Sequence, residues 1–290
     1  MIYDYIIYIF YSIFCCCVLF FYNKYIYMSS FLTETSQTNS NKLIINNSNQ
    51  NTNNSEKHIE NAPEKKQVNI DYLVKASFMI TYILLLTTGL ITFIEAMRTQ
   101  NPLVRHIFNL ETCISVVAGY FYSIFVSQLD QYERERIPIN WDIITKNRYV
   151  DWAITTPMML LVLCVFLASE SKSVVHLTTI VLIMIFNYIM LYIGYLGETK
   201  VLDRFTACIG GFIPFLIVFY LIFTNFVVIS KGIGKYWLFV FYLFFWSLYG
   251  LVYLLEESYK NIAMNILDCI AKCLVGIALW LYYTKIIPQY

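Results

Sequence analysis

Apolar residues run along this chain in long blocks broken by short polar stretches. A helix rising 1.5 Å per residue needs about 20 residues to cross a bilayer, and the blocks are of that length. From residue 70 onward they follow one another as Ile70–Met97, Leu103–Ser127, Asp142–Ala168, Val174–Leu196, Phe205–Ile229, Tyr236–Leu255 and Ser258–Tyr283. The pattern predicts an all-α integral membrane protein whose residues 70–290 form a seven-transmembrane-helix bundle. Two segments precede it. Residues 29–69 are rich in Asn, Ser and Thr, with too little apolar surface to offset the entropy of ordering, and predict a disordered linker. Residues 1–28 are apolar again and read either as an additional N-terminal membrane helix or as a signal-like segment, although Asp4 stands where a signal peptide carries its basic end.

Charge inside such blocks is expensive and marks function or a paired site. The last block carries Asp268 and Lys272, one helical turn apart and hence on one face. Taken alone, the pair reads equally as a structural ion pair inside a bundle. The third block opens with Arg148-Tyr149-Val150-Asp151-Trp152-Ala153-Ile154-Thr155-Thr156-Pro157, adding a second acid without a second lysine. Two acids and an arginine around one buried lysine suggest a cation with a complex counterion. A lysine held out of water is also a competent nucleophile towards an aldehyde.

With both stretches in view, the sequence resembles the microbial (type 1) rhodopsins. The seventh block matches that family's last helix, with an Asp four residues ahead of the lysine that carries retinal, and RYVDWAITTP matches its third. The resemblance implies all-trans retinal bound to Lys272 as a protonated Schiff base. It makes Asp151 the proton acceptor and Asp268 a lasting counterion. Arg148 would balance the second negative charge, and Thr155 would hydrogen-bond Asp151 or the imine region. The chromophore chamber implied by the same alignment comprises Trp152, Thr156, Met190, Gly194, Phe215, Trp246, Tyr249 and Tyr253. Three positions depart from many pumps of the family. Val162 stands where a carboxylic acid reprotonates the imine, Lys260 replaces an acid used in proton release, and Gly250 replaces a proline.

Composition agrees with the membrane assignment: 59% of residues are hydrophobic, 13% are charged and the mean hydropathy is +0.59. A net charge of +1 leaves no basic field for nucleic acid. The eight cysteines lack the spacing of a zinc site or a disulfide framework. Arg98, Arg105, Lys172, Lys231, Lys235 and Lys285 gather on one side against Glu170, so the positive-inside rule puts that side and the C-terminus in the cytoplasm and the N-terminal linker outside the plasma membrane. Glu111 then lies about two turns into the second block from the cytoplasm. With Ser77, Asn187 and Asn265 it suggests a hydrated ion pathway, similar to that of the light-gated cation channels among viral rhodopsins. The expected function is therefore a light-gated cation channel. An outward light-driven proton pump and a sensory photoreceptor are the alternatives, and none of the three is an enzyme. Partners are retinal, the bilayer, transported cations or protons and, by resemblance, further copies of the chain.

Overall fold

The computed structural model describes residues 63–228 and 236–285. The apolar segment 1–28 and the linker as far as residue 62 lie outside the described residues. Seven helices follow in order: α1 Pro63–Arg98, α2 Pro102–Glu135, α3 Trp141–Ser171, α4 Leu177–Glu198, α5 Arg204–Val227, α6 Trp237–Val252 and α7 Glu257–Tyr283. Successive helices reverse direction. The α2–α3, α4–α5 and α6–α7 turns therefore share one end of the bundle, called here the proximal end, and the other turns share the distal end.

Three of the boundary differences from expectation shape the bundle. Helix α1 begins at Pro63, so residues 63–69 continue the membrane helix backwards instead of ending the linker. Helix α2 runs two turns past Ser127 to Glu135 on polar residues; Lys75 of α1 holds this extension through Asp130 at 2.6 Å and Glu133 at 2.5 Å. Helix α6 stops at Val252, where Leu254 and Leu255 close tight turns onto Leu251 and Val252, leaving 16 residues. At 1.5 Å per residue that is about 24 Å, shorter than the hydrocarbon core.

Polar residues at the block edges set the helix ends. Asn101, followed by Pro102, caps α2 by accepting from the Leu103 amide at 3.0 Å, and Asp203 caps α5 by accepting from Phe205 and Thr206, both at 3.1 Å. Helix α3 is the axis of the bundle. Its residues from Thr155 to Ala168 are all buried, whereas α4 and α5 expose alternating apolar side chains such as Tyr192, Ile209, Ile213 and Leu216 that suit lipid. At the distal end the Phe166 ring packs edge-on against Trp237, Tyr282 and Tyr283, tying α3 to α6 and α7. At the proximal half Phe78, Tyr122 and Phe125 join α1 to α2.

Candidate functional site

Midway along α7 the α-helical ladder loosens into a π turn over Cys269–Leu274. Lys272 sits within it, 2% exposed, and turns its amine towards α3. Its Nζ donates to Asp151 Oδ2 at 2.8 Å and to Asp268 Oδ2 at 3.4 Å. Arg148 comes within 3.7 Å of Asp268 through Nη1. Two acids and two bases thus cancel in an environment where an unbalanced charge would be destabilising by several kcal/mol, of order 3–5 for a broken buried pair.

The two carboxylates are not equivalent. Asp268 accepts from Tyr122 at 2.8 Å, from Tyr249 at 2.7 Å and from Lys272, beside Arg148. Asp151 has Lys272 as its partner through Oδ2, while its Oδ1 has none among the described residues. Thr155 does not hold the Asp151 carboxylate as one branch of the expectation had it. Its hydroxyl donates at 2.8 Å to the Asp151 main-chain carbonyl one turn back, the ordinary bond of a threonine inside a helix.

From Lys272 a cleft of about 850 Å³, mouth included, runs between α3, α4, α5 and α6. Every expected chamber residue lines it: Trp152, Thr156, Met190, Gly194, Phe215, Trp246, Tyr249 and Tyr253. Trp152 and Tyr249 meet edge to face at 5.5 Å, and the Tyr253 hydroxyl closes the proximal side by donating to the Gly194 carbonyl at 3.0 Å. Phe212 also lines the cleft, and its ring occupies the space a side chain on Gly250 would need.

The residues expected to form one ion pathway divide into separate groups. Ser77 and Asn265 bond each other at 2.9 Å, and the Asn265 carbonyl oxygen accepts from Arg148 at 2.8 Å and from Tyr122 at 3.0 Å, all on the proximal side of Lys272. Asn187 donates to Thr156 at 2.8 Å on the wall of the cleft. Glu111 meets none of them. It is 1% exposed on the distal side, with Oε2 3.3 Å from where a Cβ on Gly276 would lie and Oε1 without a partner among the described residues. Gly276 is one turn beyond Lys272, so Lys272 has a carboxyl group on either side.

Tyr122 and Asn261 were missed by sequence reasoning. Asn261 accepts from Arg148 at 3.1 Å. The spacing of Asn261, Asn265, Asp268 and Lys272 forms a single polar stripe on α7 and offered the signal. Tyr122 lay among the many tyrosines of the chain with nothing to single it out. Lys260, noted only as a departure, is 2% exposed and donates to Glu198 at 2.9 Å and Glu257 at 2.9 Å, which Arg204 bonds as well at 3.3 and 2.7 Å.

Comparison with known proteins locates this arrangement. The family model for bacteriorhodopsin-like proteins matches residues 73–286. The crystal structure of viral rhodopsin OLPVRII is 43% identical over 74% of this chain and 99% of its own, with a TM-score of 0.68. The blue light-absorbing proteorhodopsin from Med12 is 21% identical over 73% of this chain and 97% of its own, with a TM-score of 0.58. The proton pumping rhodopsin AR2 from the marine alga Acetabularia acetabulum is 19% identical over 75% and 97%, with a TM-score of 0.59. The last two support the fold alone. No curated protein matches the chain.

Proposed function

The chain belongs to the bacteriorhodopsin-like family of multi-pass membrane proteins, and from that premise we propose that it is a retinal photoprotein that drives protons outward across the plasma membrane under light. Membership implies a retinal chromophore, and the residues present fit one. A buried amine flanked by acids ends a long cleft walled by Trp152, Trp246, Tyr249 and Phe215, as a polyene aldehyde in its all-trans form requires. Retinal, when bound, supplies the imine at Lys272 Nζ and the light-driven change of shape that displaces it.

The rest is the work of the chain. Asp268 is held by two tyrosine hydroxyls, Lys272 and Arg148, so it keeps its charge and stays a counterion. Asp151, with one oxygen free of partners, takes the proton from the Lys272 nitrogen. Glu111 returns one from the distal side, a task that the hydrocarbon of Val162 cannot perform. Basic residues gathered at the distal end make that end cytoplasmic, so the proton leaves outward.

One observation carries the reading: the carboxyl groups of Asp151 and Glu111 stand on opposite sides of a single buried amine. The second reading, a light-gated cation channel, draws support from the amide and hydroxyl cluster of Asn265, Ser77 and Asn261 between α1 and α7. It requires Arg148 to leave that cluster, because a fixed guanidinium repels cations. Recording from illuminated cells separates the readings. A pump gives outward current at zero gradient that does not reverse in the ordinary voltage range. A channel gives current whose reversal follows the cation gradient, and a sensory photoreceptor gives neither.

A further inference from the structure

Arg148 is enclosed to an extent that the counterion role alone does not require. Its guanidinium carbon lies 5.3 Å from the centre of the Phe78 ring, 5.4 Å from Phe125 and 5.9 Å from Tyr122. The three rings touch one another, with centroids 5.3 to 5.7 Å apart, and all three are fully buried. Nη2 donates to Asn261 at 3.1 Å and Asn265 at 2.8 Å, and Nη1 donates to the hydroxyl of Tyr122 itself at 3.2 Å. Its Nε has no partner among the described residues. One end of the fork is therefore fixed by hydrogen bonds and its faces by aromatic rings.

We propose that Phe78 and Phe125 are positioning residues: with Tyr122 they form an aromatic cage that keeps Arg148 on Asp268 and off Asp151, and so decide which of two similar acids receives the proton. The physical basis is the ring quadrupole, which attracts a cation to its face and does so more strongly where water is excluded. The asymmetry at the carboxylates is what such a cage produces. Asp268 has Arg148 at 3.7 Å, whereas Asp151, on Arg148's own helix and one turn away, shares no ion pair with it. Asn261 and Asn265 fix Nη2 and the Tyr122 hydroxyl fixes Nη1, but Nε has no partner among the described residues, so the rings are what hold the rest of the guanidinium. An aliphatic side chain at Phe78 or Phe125 fills space but offers no ring quadrupole to hold the guanidinium.

The groups facing the two acids are Arg148 on α3, Tyr122 on α2, Tyr249 on α6 and Lys272 on α7; α1 contributes only the hydroxyls of Ser77 and Thr81, through Asn265. Freeing Arg148 removes positive charge from the pair. One of the acids then takes up a proton at higher pH, because the same Lys272 must balance both.

The test is the acid-induced colour change of the retinal-loaded protein, titrated with light absorption. Phe78→Leu and Phe125→Leu are expected to move its midpoint upward by one pH unit or more, a tenfold change in proton affinity, while Phe125→Tyr, which keeps the ring, restores it. Phe108→Leu, equally buried on α2 but packed on Tyr283 at the distal end, is expected to lower thermal stability and leave the midpoint in place. An unmoved midpoint in coloured Phe78→Leu and Phe125→Leu proteins would overturn the cage, as would an equal shift in Phe108→Leu. The inference rests on Lys272 carrying the chromophore. Failure of that premise would show as an unaltered protein that stays colourless with retinal, a result distinct from either. In the retinal-free protein, the ring currents of the cage should also shift the Arg148 guanidinium NMR signals, and Phe125→Leu should reduce that shift.

Discussion

The proximal and distal halves of the bundle treat buried polar groups in opposite ways. On the proximal side of Lys272, Arg148, Tyr122, Asn261, Asn265, Ser77 and Asp268 bond one another in a network drawn from α1, α2, α3 and α7. On the distal side Glu111 is buried beside Gly276, which Thr88 and Thr92 also face, and its Oε1 has no partner among the described residues. A densely bonded network fixes geometry and resists rearrangement, whereas a buried acid with few partners is stable only when neutral or transiently hydrated. The difference suits a protein that must keep a charge steady on one side and keep a proton in store on the other.

Substitutions can break or sharpen that contrast. The largest effect is expected from Lys272→Ala, which removes the dividing amine: visible absorbance after retinal addition should vanish, and the abandoned Asp151 and Asp268 should lower stability by about 3–5 kcal/mol, read by thermal denaturation. Asp151→Asn deletes the acceptor and should reduce light-driven proton movement about 10²-fold or more, measured with a pH electrode on illuminated vesicles, with the pigment still formed. Glu111→Gln acts on the distal half alone and should slow dark recovery in flash photolysis by roughly 10²-fold; an unchanged recovery and unchanged current would leave Glu111 without a part in transport. Asn265→Ala opens the proximal network and is expected to cost about 1–3 kcal/mol by leaving Arg148 and Ser77 short of a partner. Lys75→Ala, at the exposed rim, should change stability by less than ~1 kcal/mol and leave the spectrum in place.

How far the sequence led can be judged from these same residues. The helices were legible because a membrane span is written as an uninterrupted apolar block, and Asp151, Asp268 and Lys272 because charge in such a block is rare. Helix ends were less so. The polar tail of α2 is held by Lys75, a contact 55 or more residues away in the chain that no local pattern encodes. That Glu111, Asn187 and the Ser77–Asn265 pair fall into separate groups was hidden for a related reason. Helical spacing says which face a residue occupies on its own helix, but not which neighbour that face meets or at what depth. Tyr122 stayed hidden because its importance comes from Asp268 and Arg148, brought to it from α7 and α3.

The quartet of Lys260, Arg204, Glu198 and Glu257 has a bearing on traffic at the proximal mouth of the bundle. Each acid there already has two cations as neighbours, drawn from helices α5 and α7, and the sum of charge is nil. Such a knot ties α4, α5 and α7 to one another, so it works as masonry for that end of the bundle. In the proposed pump, a hydrogen ion leaving Asp151 reaches the water past a wall whose four charges are already matched.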